Sequence, residues 1–136
     1  MELLDTSLPF EAQSLKSYKV LIKNTREITC RIVSDSMEPL IRIGDRVRVE
    51  CVDTIKSIKP FDIVIFLNQD KLFCHFVWNI SIGEKSSQIL TRSLKNPHHN
   101  DLPTTPDQIL GRVLHPQLSR RTRLWLILKT LFKNSQ

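Results

Sequence analysis

The residues in this chain best suited to covalent chemistry lie in Ser34-Asp35-Ser36-Met37-Glu38-Pro39, with Gly44-Asp45 close behind. A serine hydroxyl is a poor nucleophile at neutral pH unless a positioned base takes its proton as it attacks. The downstream residue best placed to be that base is His75, in an alternating strand-like segment, followed by Asp101 in a loop rich in proline and asparagine. The chemistry such a set can perform is proteolysis by a serine nucleophile and a histidine base.

Short elements must bring these residues together. Leu15, Tyr18, Leu21 and Ile22 fall at roughly helical spacing, which predicts an amphipathic helix over 11–23 ending near Asn24. A strand over 28–33 leads into Ser36, and Pro39 biases Glu38 away from the helical region, setting the serine at a strand-to-turn junction. Residues 46–52 alternate, with Val47, Val49 and Cys51 against Arg46, Arg48 and Glu50. After a turn at 59–62 come a strand over 63–67 and a hairpin loop over 68–71. Leu72, Cys74, Phe76, Trp78, Ile80 and Ile82 then share one strand face, and Phe73, His75, Val77, Asn79 and Ser81 the other. His75 is expected to be partly desolvated on the more polar face, outside the densest core. A strand over 88–94, a loop over 95–108 and a closing strand over 109–114 complete a mainly β body, residues 28–116. Residues 1–27 form a helical segment packed on it.

Residues 117–136 differ in character. Leu124, Trp125, Leu128, Leu131 and Phe132 make an apolar stripe at helical spacing, Ser119 is placed to cap the helix, and Lys129 and Lys133 flank the stripe. Such a basic amphipathic helix can pack on the body through its stripe. It can instead lie in the headgroup region of an acidic membrane with Trp125 at the interface.

At 136 residues the chain is long enough for one well-cored domain. Its formal charge of +6 is carried by six basic residues between Arg112 and the end, a stretch with no acid. Residues 1–111 are therefore neutral overall, unlike a uniformly basic nucleic-acid binder, and no nucleic-acid partner is expected. Three cysteines, Cys30, Cys51 and Cys74, lack a C-x-x-C spacing, and their odd number argues against a disulfide framework. Reduced, buried thiols suit a cytoplasmic location. No apolar run approaches the ~20 residues of a spanning helix, and residues 1–10 carry Glu2 and Asp5 without a basic start, so no secretory leader is expected. His98, His99 and His115 lack a metal-ligand spacing, and no metal or other cofactor is expected.

In this order and at these separations, several pieces resemble the signal peptidase I-like and SOS-repressor-like serine peptidases. They are SDSMEP (34–39), GDRVRV (44–49), FDIVIF (61–66), LFCHFV (72–77), ILTRSLKNPHHND (89–101) and QILGRV (108–113). The likeness covers about residues 30–114 and is closest to the branch with a histidine base, in a compact form without a membrane anchor. It implies a fold of coiled antiparallel sheets and a substrate that is a leader or signal-like peptide or protein precursor. Ser36 would be the nucleophile and His75 the base; an unperturbed imidazole pKa of about 6.5 suits it to take and return a proton near neutrality. Asp101 would orient the imidazole and stabilise its charged form, with Asp107 the fallback. The Ser34 hydroxyl and the Ser36 backbone N–H would form the oxyanion hole. The chain departs from the family pattern at Phe61, which replaces a glycine, at Phe76, which replaces an arginine, and at Leu94, which replaces an acid. The loss at Leu94 favours one alternative, an inactive peptidase-fold module that docks on a membrane or partner. The other alternative, a self-processing regulator, lacks an Ala-Gly or Cys-Gly cleavage dipeptide ahead of Ser36.

Overall fold

The computed structural model describes residues 3–5, 12–68 and 71–134. Helix α1 (Ala12–Thr25) stops at Arg26, whose φ of 67° and N–H bond to the Ile22 carbonyl at 2.7 Å make a left-handed cap. Tyr18, Leu21 and Ile22 face the core. The Leu15 side chain of the expected stripe, and Gln69 and Asp70 of the expected hairpin loop, lie outside the described residues. The segment 1–27 is not wholly helical: Leu3–Asp5 is a strand, β1, paired in parallel with β2 (Glu27–Arg31).

The other strands are β3 (Arg46–Glu50), β4 (Ile63–Asn68), β5 (Lys71–Ile82), β6 (Ser87–Arg92) and β7 (Ile109–His115). They form one sheet in the order β1-β2-β3-β7-β4-β5-β6, antiparallel at every pairing except β1 with β2. The protein is thus mainly β, with a second helix, α2 (Arg120–Asn134), after the sheet. The last strand does not close the sheet at an edge. It fills a slot between β3 and β4, because the chain leaves the sheet after Glu50 and re-enters it at Ile63. A central strand needs apolar residues on both faces, and β7 supplies Leu110 and Val113 to one core and Ile109 to the other.

The larger core fills the face covered by the helices, with Cys30, Val47, Ile63, Ile65, Cys74 and Phe76 beneath Ile22 of α1 and Leu126 of α2. A smaller one on the other face gathers Val64, Phe66, Val77 and Ile89. The expected alternation along β5 holds only as far as Trp78. The pairing with β6 slips between Val77 and Asn79, and this bulge reverses the faces beyond it. Ile80 therefore packs with Phe73 and Val77, not with Cys74 and Phe76, and Ile82 is exposed.

Helix α2 departs from one of the two placements its pattern allows. Ser119 caps it, its Oγ accepting the Thr122 N–H at 3.1 Å. The helix does not, however, pack through its apolar stripe: Leu126 is the residue turned into the core, while Leu124, Trp125, Leu128 and Leu131 are exposed.

Helix α1 approaches the sheet closely over Gly111. A Cβ there would lie 2.5 Å from the Glu50 carbonyl oxygen, 2.6 Å from Val49 Cγ1 and 3.0 Å from Ile22 Cδ1. Two of these neighbours are held in the sheet and cannot simply swing aside. Gly111→Ala is expected to destabilise the protein by about 1–3 kcal/mol, as overpacking does, read as a lower urea midpoint at unchanged slope.

Candidate active site

Ser36 sits in a turn that the core grips from beneath. β2 ends at Arg31, Ile32 exchanges hydrogen bonds with the 44–45 turn (Ile32 N–H to the Asp45 carbonyl, 2.8 Å; Gly44 N–H to the Ile32 carbonyl, 2.7 Å), and the chain then folds back. Met37 and Ile41 are fully buried and peg the turn into the main core, joined by the Ile41 N–H bond to the Met37 carbonyl at 2.9 Å. The Asp45 carboxylate accepts the Arg42 N–H at 2.8 Å, closing the far side. With Met37 directed inward, its neighbour Ser36 is left half-buried at the surface. The Ser34 hydroxyl lies 3.2 Å from that of Ser36.

His75 comes from β5, paired with Val64 of β4. It is more deeply placed than its polar strand face suggested, at 6% exposure. The rings of Phe66 and Phe73 stand 5.9 and 5.6 Å from the imidazole and wall it in. Its Nδ1 is 2.6 Å from Asp101 Oδ2. Ser34, Ser36, His75 and Ser93 line one groove of about 390 Å³, together with Lys71 and Phe73. Ser36 and His75 thus line the same groove, and Asp101 is bonded to the His75 ring. With Nδ1 engaged by the carboxylate, Nε2 is the ring nitrogen not taken up by that bond.

The loop after β6 holds the acid. The Thr91 hydroxyl donates to Asp101 Oδ2 at 2.7 Å, and the Asp101 N–H to the Thr91 carbonyl at 2.9 Å. Arg92, buried under the loop and 4.0 Å from the centre of the Trp78 ring, donates to Asn100 Oδ1 at 2.6 Å and to the Pro97 carbonyl at 3.1 Å. Lys95 ties the same loop to the serine turn: its N–H donates to the Ser36 carbonyl at 3.1 Å, and its ammonium pairs with Asp35. The sequence pattern does not mark Thr91, Arg92 or Lys95 as site residues; the one available signal is that Thr91 shares a strand face with Ile89. Asp107 is taken up in the 3₁₀ turn Pro106–Gln108, where the Thr105 hydroxyl donates to it.

Burial pushes the Asp101 carboxyl up, but the His75 hydrogen bond and charge and the Thr91 hydroxyl outweigh it, holding the group below its ordinary value. Cys74, the sequence neighbour of His75, points into the main core, where burial pushes its thiol up to about 12. Cys30 is likewise pushed up to about 12 by burial, so neither thiol offers a competing thiolate. Among the described residues, no three histidine, cysteine or acidic side chains converge as a metal-ligand group.

Compared with known proteins, the chain matches no family model, no curated protein and no solved structure.

A carboxyl whose pKa is lower folded than unfolded adds stability that is complete above its unfolded value, about 4, and lost as pH falls through the folded one. Asp101 is such a group, so Asp101→Asn is expected to flatten the acid limb of a stability–pH curve. Urea midpoints measured between about pH 6 and pH 2.5 check this; parallel curves for parent and variant would contradict it.

Proposed function

We propose that this protein is a serine endopeptidase of the signal peptidase I-like type, with the coiled-sheet fold of that group and the SOS repressors. The observation that carries the reading is the hydrogen bond from the His75 ring to Asp101, beside a groove that Ser36 also lines. The acid missing at Leu94 is no obstacle, since Asp101 reaches the imidazole from further along the loop.

In this reading Ser36 Oγ attacks the scissile carbonyl carbon as its proton passes to His75 Nε2. The imidazolium is stabilised through its Nδ1–H by Asp101, which stays ionised. The Ser34 hydroxyl and the Ser36 backbone N–H donate to the oxyanion, where one such donor is worth about 3–4 kcal/mol. Collapse breaks the C–N bond, and His75 returns its proton to the leaving amine. Water then hydrolyses the acyl-enzyme by the same base.

The substrate would be an extended leader or signal-like segment. Among the described residues β6 pairs with Phe76–Ile82 of β5, so 71–75 present a strand edge along the groove. A peptide can add to such an edge as a further strand. Free Cys30, Cys51 and Cys74 favour a reducing, cytoplasmic setting, and none of the described helices is long and apolar enough to cross a membrane.

Mass spectrometry of candidate precursor peptides incubated with the parent protein should find one defined cut. Ser36→Ala and His75→Ala should abolish it, and Asp101→Asn should slow it by about 10²–10⁴-fold, the range of general acid–base catalysis. Equal cutting by parent, Ser36→Ala and His75→Ala would refute the mechanism.

A further inference from the structure

The outward face of α2 has no role in the proposed proteolysis. Thr122, Leu126 and Thr130, spaced by four, form the line turned toward the body, and Leu126 is 1% exposed. Leu124, Leu128 and Leu131 fall on the opposite side, at 57%, 43% and 60% exposure, with Trp125 at the margin at 46%. A soluble helix normally turns its apolar stripe to the core; here it is turned to solvent.

Cations surround this face. Arg120 and Arg121 are exposed on its first turn, and the Lys129 ammonium stands 4.7 Å from the centre of the Trp125 ring. The sequence of α2 holds three arginines and two lysines and no acid. This charge selects among possible occupants. A second copy of the chain would bring two cationic surfaces together without a counter-charge, whereas an anionic lipid surface offers both an apolar layer and the complementary sign. Leucines centred on the face, tryptophan at its edge and cations alongside match a helix lying in the plane of a bilayer interface.

We propose that α2 docks the protein on acidic membrane surfaces, with Leu124, Leu128 and Leu131 in the acyl boundary and Arg120, Arg121 and Lys129 among the headgroups. The inner edge of the helix abuts the serine turn: Thr122 and Trp125 line a pocket of about 460 Å³ with Glu38, Pro39, Leu40 and Leu94. A docked α2 therefore brings that turn beside the lipid surface. The docking does not depend on proteolysis, and Ser36→Ala is expected to bind as the parent does.

The test uses the full chain with two kinds of vesicle, pure phosphatidylcholine and an equal mixture of phosphatidylcholine and phosphatidylglycerol. Co-sedimentation is expected with the mixed vesicles and not with the neutral ones, weakening as salt is raised. A blue shift in tryptophan emission should accompany it and be absent in Trp125→Phe. The triple variant Leu124→Ser, Leu128→Ser, Leu131→Ser and the triple variant Arg120→Gln, Arg121→Gln, Lys129→Gln should each weaken binding about tenfold or more, with circular dichroism reporting retained fold. Parent-like binding by either folded triple variant would overturn the proposal. So would equal affinity for both vesicles, or a parent dimer that the serine triple variant converts to monomer.

Discussion

The hydrogen bond between His75 and Asp101 sets the terms for the rest of the site. A carboxylate and an imidazole withdrawn from water are costly unless each finds partners. Asp101 accepts from both His75 and the Thr91 hydroxyl, and the aromatic rings beside His75 leave the imidazole little freedom to turn away. The arrangement depends on a loop with no regular structure keeping its shape. Arg92 provides for this from below, with its guanidinium on Asn100 and the Pro97 carbonyl and its flat face over Trp78. The planar, multi-donor head of arginine can hold two acceptors and stack at once, which a lysine ammonium could not.

The same loop braces the turn that carries Ser36. Lys95 bonds the Ser36 carbonyl through its main chain and pairs with Asp35 through its side chain, so the segment carrying the acid also braces the serine turn. The ion pair is well exposed, and pairs of that kind contribute little to global stability; the backbone bond is the better geometric constraint. Met37 and Ile41 hold the turn from the other side by burial. Ser36 and Asp101 are thus registered against each other by one short segment, although in sequence they lie on either side of the strand that carries His75.

Phe61 shows a different balance. It occupies a left-handed backbone conformation, φ 75°, at the position where the resembling family has glycine. An L-residue there costs about 1–2 kcal/mol. Its ring packs against Phe76 and Trp78 and lies 5.7 Å from the Arg123 guanidinium of α2. An aromatic contact under the C-terminal helix thus stands against the strain, and it ties α2 to the turn before β4.

Local pattern alone determined much of this molecule: the β-rich class, a helix expected over 11–23 and found at 12–25, the cap at Ser119, and a turn presenting Ser36. These are readable because a two-residue or 3.6-residue period, a proline or a capping hydroxyl acts within a few positions of itself. The pattern also singled out Ser36, His75 and Asp101. Only the folded chain set Asp101, and not Asp107, against the His75 ring, a contact 26 residues long in sequence. It decided as well that β7 lies in the middle of the sheet, that a bulge sends Ile80 to the other face, and that α2 turns its leucines outward. Periodicity says that an element has two faces. Which face is covered depends on what arrives from elsewhere in the chain, and that is settled by packing.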